Sequence, residues 1–101
     1  MLSQFQTYQV ALQLHRECRK LDLPGYLKDQ LLRASSSVAL NLSEGSAKPT
    51  KRDQLKFYFI ALGSLRESQT ALDLAPVHRP ELISLADRLG GMLYRLCHPR
   101  S

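Results

Sequence analysis

Proline and glycine gather into three groups that cut the sequence into four helix-length stretches. The breaks are Pro24-Gly25, Gly45 to Pro49, and Pro76 to Pro80. Proline cannot extend a helical hydrogen-bond ladder and glycine tolerates a chain reversal, so each group ends one helix before the next begins. Within each stretch apolar residues recur at steps of three and four, the period of a helix with one buried face. Short connections favour antiparallel neighbours. The spacing therefore predicts an all-α fold, an antiparallel up-down-up-down four-helix bundle. A chain of 101 residues supports one such core, and its 44% hydrophobic and 23% charged residues are those of an ordinary globular protein. Residues 1–101 are accordingly read as a single domain.

The first helix is predicted from about Gln4 to Leu21, with Val10, Leu14, Cys18 and Leu21 on one face and Phe5, Tyr8 and Leu12 beside them. The second starts near Tyr26. It carries the apolar stripe Leu27, Leu31, Ala34, Val38 and Leu42, a polar line of Gln30, Ser37, Asn41 and Glu44, and Gly45 as its stop. Thr50, three residues before Asp53, resembles a helix cap and opens the third. That helix shows two stripes. Leu55, Tyr58, Leu62, Leu65, Gln69 and Leu72 form one; Phe57, Ile60, Ala61, Ser64, Ala71 and Leu74 form another, about 130° around the axis. One neighbouring face cannot cover both: either this helix sits deep in the bundle or one stripe packs against another copy, and the second reading is favoured, with Phe57, Ile60, Ser64, Ala71 and Leu74 assigned to self-association. The fourth helix runs from about Glu81 to Leu96, with Leu82, Leu85, Leu89, Met92 and Leu96 inward and Arg88 and Arg95 outward. Gly63 and Gly90-Gly91 interrupt helical patterns at a cost of ~1 kcal/mol each relative to alanine, which suggests close helix contact or a kink.

The N-terminal residues have neither the basic start nor the apolar run of a signal peptide, and no stretch approaches the ~20 apolar residues of a membrane span. A cytoplasmic protein without a membrane partner is expected. Cys18 and Cys97 are then reduced thiols behaving as small apolar residues. The net charge of +5 leans toward a polyanionic partner. It is front-loaded: nine basic against five acidic residues up to Lys56, five against four beyond.

Two segments, LLRASSSVALNLSEG from Leu31 and FYFIALGSLRES from Phe57, resemble a known family. They are similar to the bacterial four-helix-bundle proteins encoded within intervening sequences of large-subunit ribosomal RNA. Arg33, Ala34, Ser37, Asn41, Glu44 and Gly45 match the family's first motif, and Ala61, Gly63, Ser64, Leu65 and Glu67 its second. The likeness is strongest from Leu27 to Ala75, and the loop from Ala75 to Pro80 is shorter than usual. The resemblance implies a left-handed bundle assembled into a homopentameric ring. It also implies kinship with diversity-generating retroelement accessory proteins, which bind nucleic acid and a reverse transcriptase.

The candidate nucleic-acid contacts are Arg16, Arg19, Lys20, Arg33, Lys48, Lys51, Arg52 and Lys56, which would meet phosphates of RNA or DNA. No RNA-binding signature or base-stacking aromatic set accompanies them. A metal site built from His15, Cys18, Cys97 and His98 lacks zinc-ligand spacing. Ser35, Ser36 and Ser37 sit in mid-helix without a strained elbow, the sequence pattern places no histidine near them, and no phosphate loop or carboxylate pair stands out. Neither catalysis nor a cofactor is expected. Gln30, Asn41 and Glu44 are read as hydrogen-bonding groups across helices and at a helix end rather than as a ligand cluster. The expected function is a non-catalytic nucleic-acid-binding accessory protein, possessing a reverse transcriptase as a candidate partner; the rival is a protein-interaction scaffold whose basic charge is incidental.

Overall fold

The computed structural model describes residues 2–100. Four helices follow in order: α1 Leu2–Arg19, α2 Gly25–Ser46, α3 Lys51–Leu74 and α4 Pro80–Cys97. α1 packs on α2 and α4, α3 packs on the same two, and the diagonal pairs do not approach through their backbones. This is the antiparallel up-down-up-down four-helix bundle that the short connections demand, in an envelope of 42 × 21 × 17 Å. The starts of α1 and α3 and the ends of α2 and α4 share one end of the bundle, the near end below. The α1–α2 and α3–α4 connections occupy the far end.

Local chemistry sets the boundaries. Thr50 Oγ1 accepts a hydrogen bond from the Asp53 backbone N–H at 3.2 Å, the cap read from the sequence. Pro80 occupies the first turn of α4, where its missing donor costs nothing. At the end of α1, Lys28 reaches across from α2 and donates to the carbonyls of Arg19, at 2.9 Å, and Leu21. The ammonium thus satisfies acceptors that the helix leaves open and faces its negative end. Gly45 is not a stop, because α2 continues through Ser46.

Leu14, Leu31, Leu65, Leu82, Leu89 and Leu93 are fully buried along the axis, each worth roughly 2–3 kcal/mol of burial. The buried face of α3 is Tyr58, Ala61, Ser64, Leu65, Ser68, Ala71 and Leu72. It lies between the two stripes read from the sequence, because α3 has two neighbours. One flank meets α4, where Gln69 Nε2 donates to Asp87 at 3.0 Å. The other meets α2, where the Ser37 and Ser64 hydroxyls are 2.7 Å apart. Ser64 and Ala71 are therefore buried within one chain and cannot lie on an external contact surface. In α4 the buried face is Leu82, Ala86, Leu89, Gly90, Leu93 and Cys97, so the expected inward residues Leu85, Met92 and Leu96 are only half-buried flank.

His15, half-buried, places Nδ1 2.8 Å from the Ser35 hydroxyl. Burial and then the charge of Arg19 lower its pKa below the ordinary 6.5. The unfolded chain is then the first to bind a proton as pH falls. The stabilising contribution is whole above about 6.5, declines below it, and is lost as pH falls through the folded value. Thermal melts across this window should show His15→Gln losing less stability on acidification than the wild type; an unchanged slope would remove His15 as the cause.

Candidate nucleic-acid interface

Folding sorts the charges by end. The near end gathers six basic residues, Lys48, Lys51, Arg52, Lys56, Arg95 and Arg100, against two acidic ones, Glu44 and Asp53. The far end and middle hold eight basic residues against seven acidic ones. Nearly all of the +5 net charge thus belongs to the near end. The eight predicted contacts do not form one surface. Lys48, Lys51, Arg52 and Lys56 converge at the near end, Arg16, Arg19 and Lys20 lie at the opposite end of the bundle, and Arg33 is exposed midway along α2.

Their availability differs as well. Lys48 pairs with Glu44 at 3.2 Å and sits 5.1 Å from the Phe57 ring centroid, while Lys20 pairs with Glu17 at 2.9 Å. Among the described residues, Lys51, Arg52, Lys56, Arg95 and Arg100 make no ion pair and are exposed. Arg52 and Lys56 are four residues apart on α3 and share a face. Arg95 and Arg100 come from the other end of the sequence, and only the antiparallel α3–α4 pairing brings them into the group.

The near end also collects aromatic side chains, six of the seven Phe and Tyr residues. Phe59 and Tyr94 are about half exposed, at 49% and 53%. His98 stacks on Tyr94 with centroids 4.1 Å apart, and Phe59 meets His98 edge-on at 5.6 Å. His98 Nδ1 lies 2.9 Å from the Tyr94 carbonyl; a carbonyl can only accept, so Nδ1–H donates and fixes the ring over Tyr94. The sequence reading missed this set. Its members are far apart in the chain, and helix pairing alone makes them neighbours.

The other sites weighed from the sequence fall apart or find structural roles. Cys18 and Cys97 lie at opposite ends of the bundle, and burial pushes each thiol up to about 11. No group of three or more His, Cys, Asp or Glu among the described residues is arranged to hold a metal ion. Asn41 Nδ2 donates to the Ser37 carbonyl and hydroxyl at 2.9 and 3.1 Å, which ties it to the Ser37–Ser64 contact. Gln30 is exposed, and Glu44 pairs with Lys48 at the end of α2, the helix-end role read from the sequence. No helix among the described residues is long and apolar enough to cross a membrane.

The pattern of the 23S rRNA-intervening sequence protein family matches residues 3–93. The chain belongs to that family. Comparison with curated proteins and with solved structures gave no significant match. The family match spans α1 to α3 and most of α4 and stops short of Tyr94, Arg95, His98 and Arg100. A third of the near-end basic residues and two of its three clustered rings therefore lie beyond the matched stretch.

A second surface is apolar. Tyr26, Leu40, Ile60 and Leu74 are exposed at 76%, 68%, 52% and 68% on the paired helices α2 and α3. The Ser37–Ser64 contact sets an antiparallel register that places Leu40 beside Ile60 and Tyr26 beside Leu74. Of the five predicted interface residues, only Ile60 and Leu74 are exposed on this face; Phe57 is half-buried under Lys48.

Proposed function

We propose that the protein is a non-catalytic nucleic-acid-binding accessory protein that contacts phosphates through its near end and assembles into a homo-oligomeric ring through the outer face of α2 and α3. The observation that carries the first part is the sorting of charge, six basic residues against two acidic ones at one end. A phosphate chain releases counterions when it meets such a cluster, so binding falls steeply with salt. A ring would set several near ends side by side and strengthen the field. Membership of a ribosomal-RNA intervening-sequence family is in keeping with an RNA-related role.

Size-exclusion chromatography with light scattering, run with mixed RNA and single-stranded DNA across a salt series, tests this reading. The wild type should take up nucleic acid at low salt and release it at high salt. The combined variant Lys51→Gln, Arg52→Gln, Lys56→Gln, Arg95→Gln should bind at least about tenfold more weakly and lose roughly three units of salt slope. The far-end variant Arg16→Gln, Arg19→Gln, Lys20→Gln should lose less. Equal losses from the two variants would refute a near-end interface, and a protein that ignores both nucleic acids would leave the scaffold as the better reading.

A further inference from the structure

We propose that Phe59, Tyr94 and His98 form a stacking platform for unpaired bases, so that the near end takes a single strand of RNA or DNA in preference to a duplex. The inference rests on the nucleic-acid reading above and names the form of nucleic acid that the site accepts.

Three features carry it. The rings form one cluster, with Tyr94 and His98 stacked at 4.1 Å and Phe59 edge-on to His98 at 5.6 Å, yet Phe59 and Tyr94 remain about half exposed. Phe5, Tyr26, Leu40, Ile60, Leu74 and Val77 are also exposed, but Phe59 and Tyr94 are the exposed aromatics whose rings gather around a third ring into one cluster. The cluster is also held in place, since the Nδ1–H bond of His98 to the Tyr94 carbonyl orients the imidazole and helix packing sets both backbones. Finally, cations flank it. Arg52 and Lys56 lie seven and three residues before Phe59, on the same side of α3, Arg95 adjoins Tyr94, and Arg100 follows His98 by two residues. Asp53 is the sole acidic residue between Lys48 and Arg66, and none follows Asp87.

Rings interleaved with cations suit a strand whose bases are free. In a duplex the base faces are already stacked on one another, and only backbone and groove edges are presented. An unpaired base offers a π-face to Tyr94 or Phe59 while its phosphates reach Arg52, Lys56 or Arg95. Such recognition tolerates any base sequence. The apolar α2–α3 face adjoins this surface at Lys56, one turn before Ile60, and carries Arg33 on α2; its remaining exposed residues, Tyr26, Leu40 and Leu74, offer apolar surface suited to self-contact.

Fluorescence anisotropy with labelled mixed-sequence strands of ~12 nucleotides, as RNA and as DNA, each alone and annealed to its complement, tests the platform. The wild type should bind both single strands more tightly than either duplex. Tyr94→Ala should weaken single-strand binding about tenfold and leave duplex binding and the salt slope unchanged, whereas Tyr94→Phe, which keeps the ring, should restore affinity. Tyr94→Trp supplies the chain's only tryptophan, and its emission should be quenched on binding. Because Tyr94 is exposed, helix content by circular dichroism should match the wild type in every variant.

Single-strand binding that survives Tyr94→Ala and Phe59→Ala but weakens in Lys56→Gln would overturn the platform and leave the phosphate reading intact. Equal affinity for single strand and duplex would overturn it too. A change of oligomer size in Tyr94→Ala would assign the rings to self-association and reject the proposal, and a wild type that binds no strand would remove both readings together.

Discussion

Replacing Gly45 with valine should destabilise the bundle by ~3 kcal/mol, at the upper end of overpacking costs, whereas Gly63→Ala should stabilise it by about 0.5–1 kcal/mol. Helix propensity cannot produce this contrast, since both glycines lie within helices and both replacements improve on glycine there. Space decides it. A β-carbon at Gly45 would lie 2.8 Å from Tyr58 Cε1 and 3.0 Å from Phe57 Cβ, inside the distance that packed carbons tolerate. Neither neighbour retreats easily. The Tyr58 ring is 3% exposed and its hydroxyl accepts a hydrogen bond from Gln4 at 2.5 Å, while Phe57 Cβ is fixed to the α3 backbone. At Gly63 an added β-carbon meets nothing within 4 Å, so alanine only restricts the unfolded chain. Thermal melts should separate the variants in opposite directions, Gly45→Val falling by more than ~10 °C. A stabilised Gly45→Val would show that α2 and α3 are not in close contact at Tyr58 and Phe57. A destabilised Gly63→Ala would mean that a second chain covers α3 at that point.

These glycines also show where sequence periodicity loses its grip. Gly45 was legible as special but not as to why: a glycine near the end of an apolar pattern reads as a stop, and only the contact with Tyr58 reveals a close approach. Gly63 read as a close approach and is open within the chain. Boundaries did better, because Thr50 with Asp53 and Pro80 act locally and carry their chemistry in adjacent residues. The four-helix architecture was legible for the same reason. Faces were less so. Ser64 and Ala71 belonged to a real second stripe on α3, but a helix in a square bundle has two neighbours: Ser64 meets α2 and Ala71 is buried, while Ile60 and Leu74 of the same stripe stay exposed.

The candidate interface was half legible. Lys48, Lys51, Arg52 and Lys56 cluster in sequence and remain together in space. Arg16, Arg19 and Lys20 cluster equally well in sequence, yet the reversal of direction between helices carries them to the far end, beside the offsetting acids Glu17, Asp22 and Asp29. Arg95, Arg100, Tyr94 and His98 were invisible as partners of Phe59 until α4 was paired against α3. Charge totals can be read from a chain, but the field at one end of a bundle depends on which termini meet there.

The combined variant Leu40→Glu and Ile60→Glu should reduce a ring closed through the α2–α3 face to single chains without loss of helix content. Leu40 and Ile60 are 68% and 52% exposed in the isolated bundle and adjacent across the Ser37–Ser64 register, so charges placed there meet water in the monomer and cost little folding energy. In an assembled ring the same carboxylates would be desolvated without partners at every interface, a penalty repeated around the closure. Ala71, although part of the same sequence stripe, is unsuited to this test: at 5% exposure a charge there would disrupt the fold itself. Light scattering on the wild type should give a multiple of the single-chain mass and on the double variant the single-chain mass. The variant should also bind nucleic acid more weakly than the ring, since each near end then acts alone, but should keep its preference among strands. An assembly that survives the two glutamates would exclude this face as the contact. Loss of helix content alongside loss of mass would show instead that the bundle depends on its neighbours to fold.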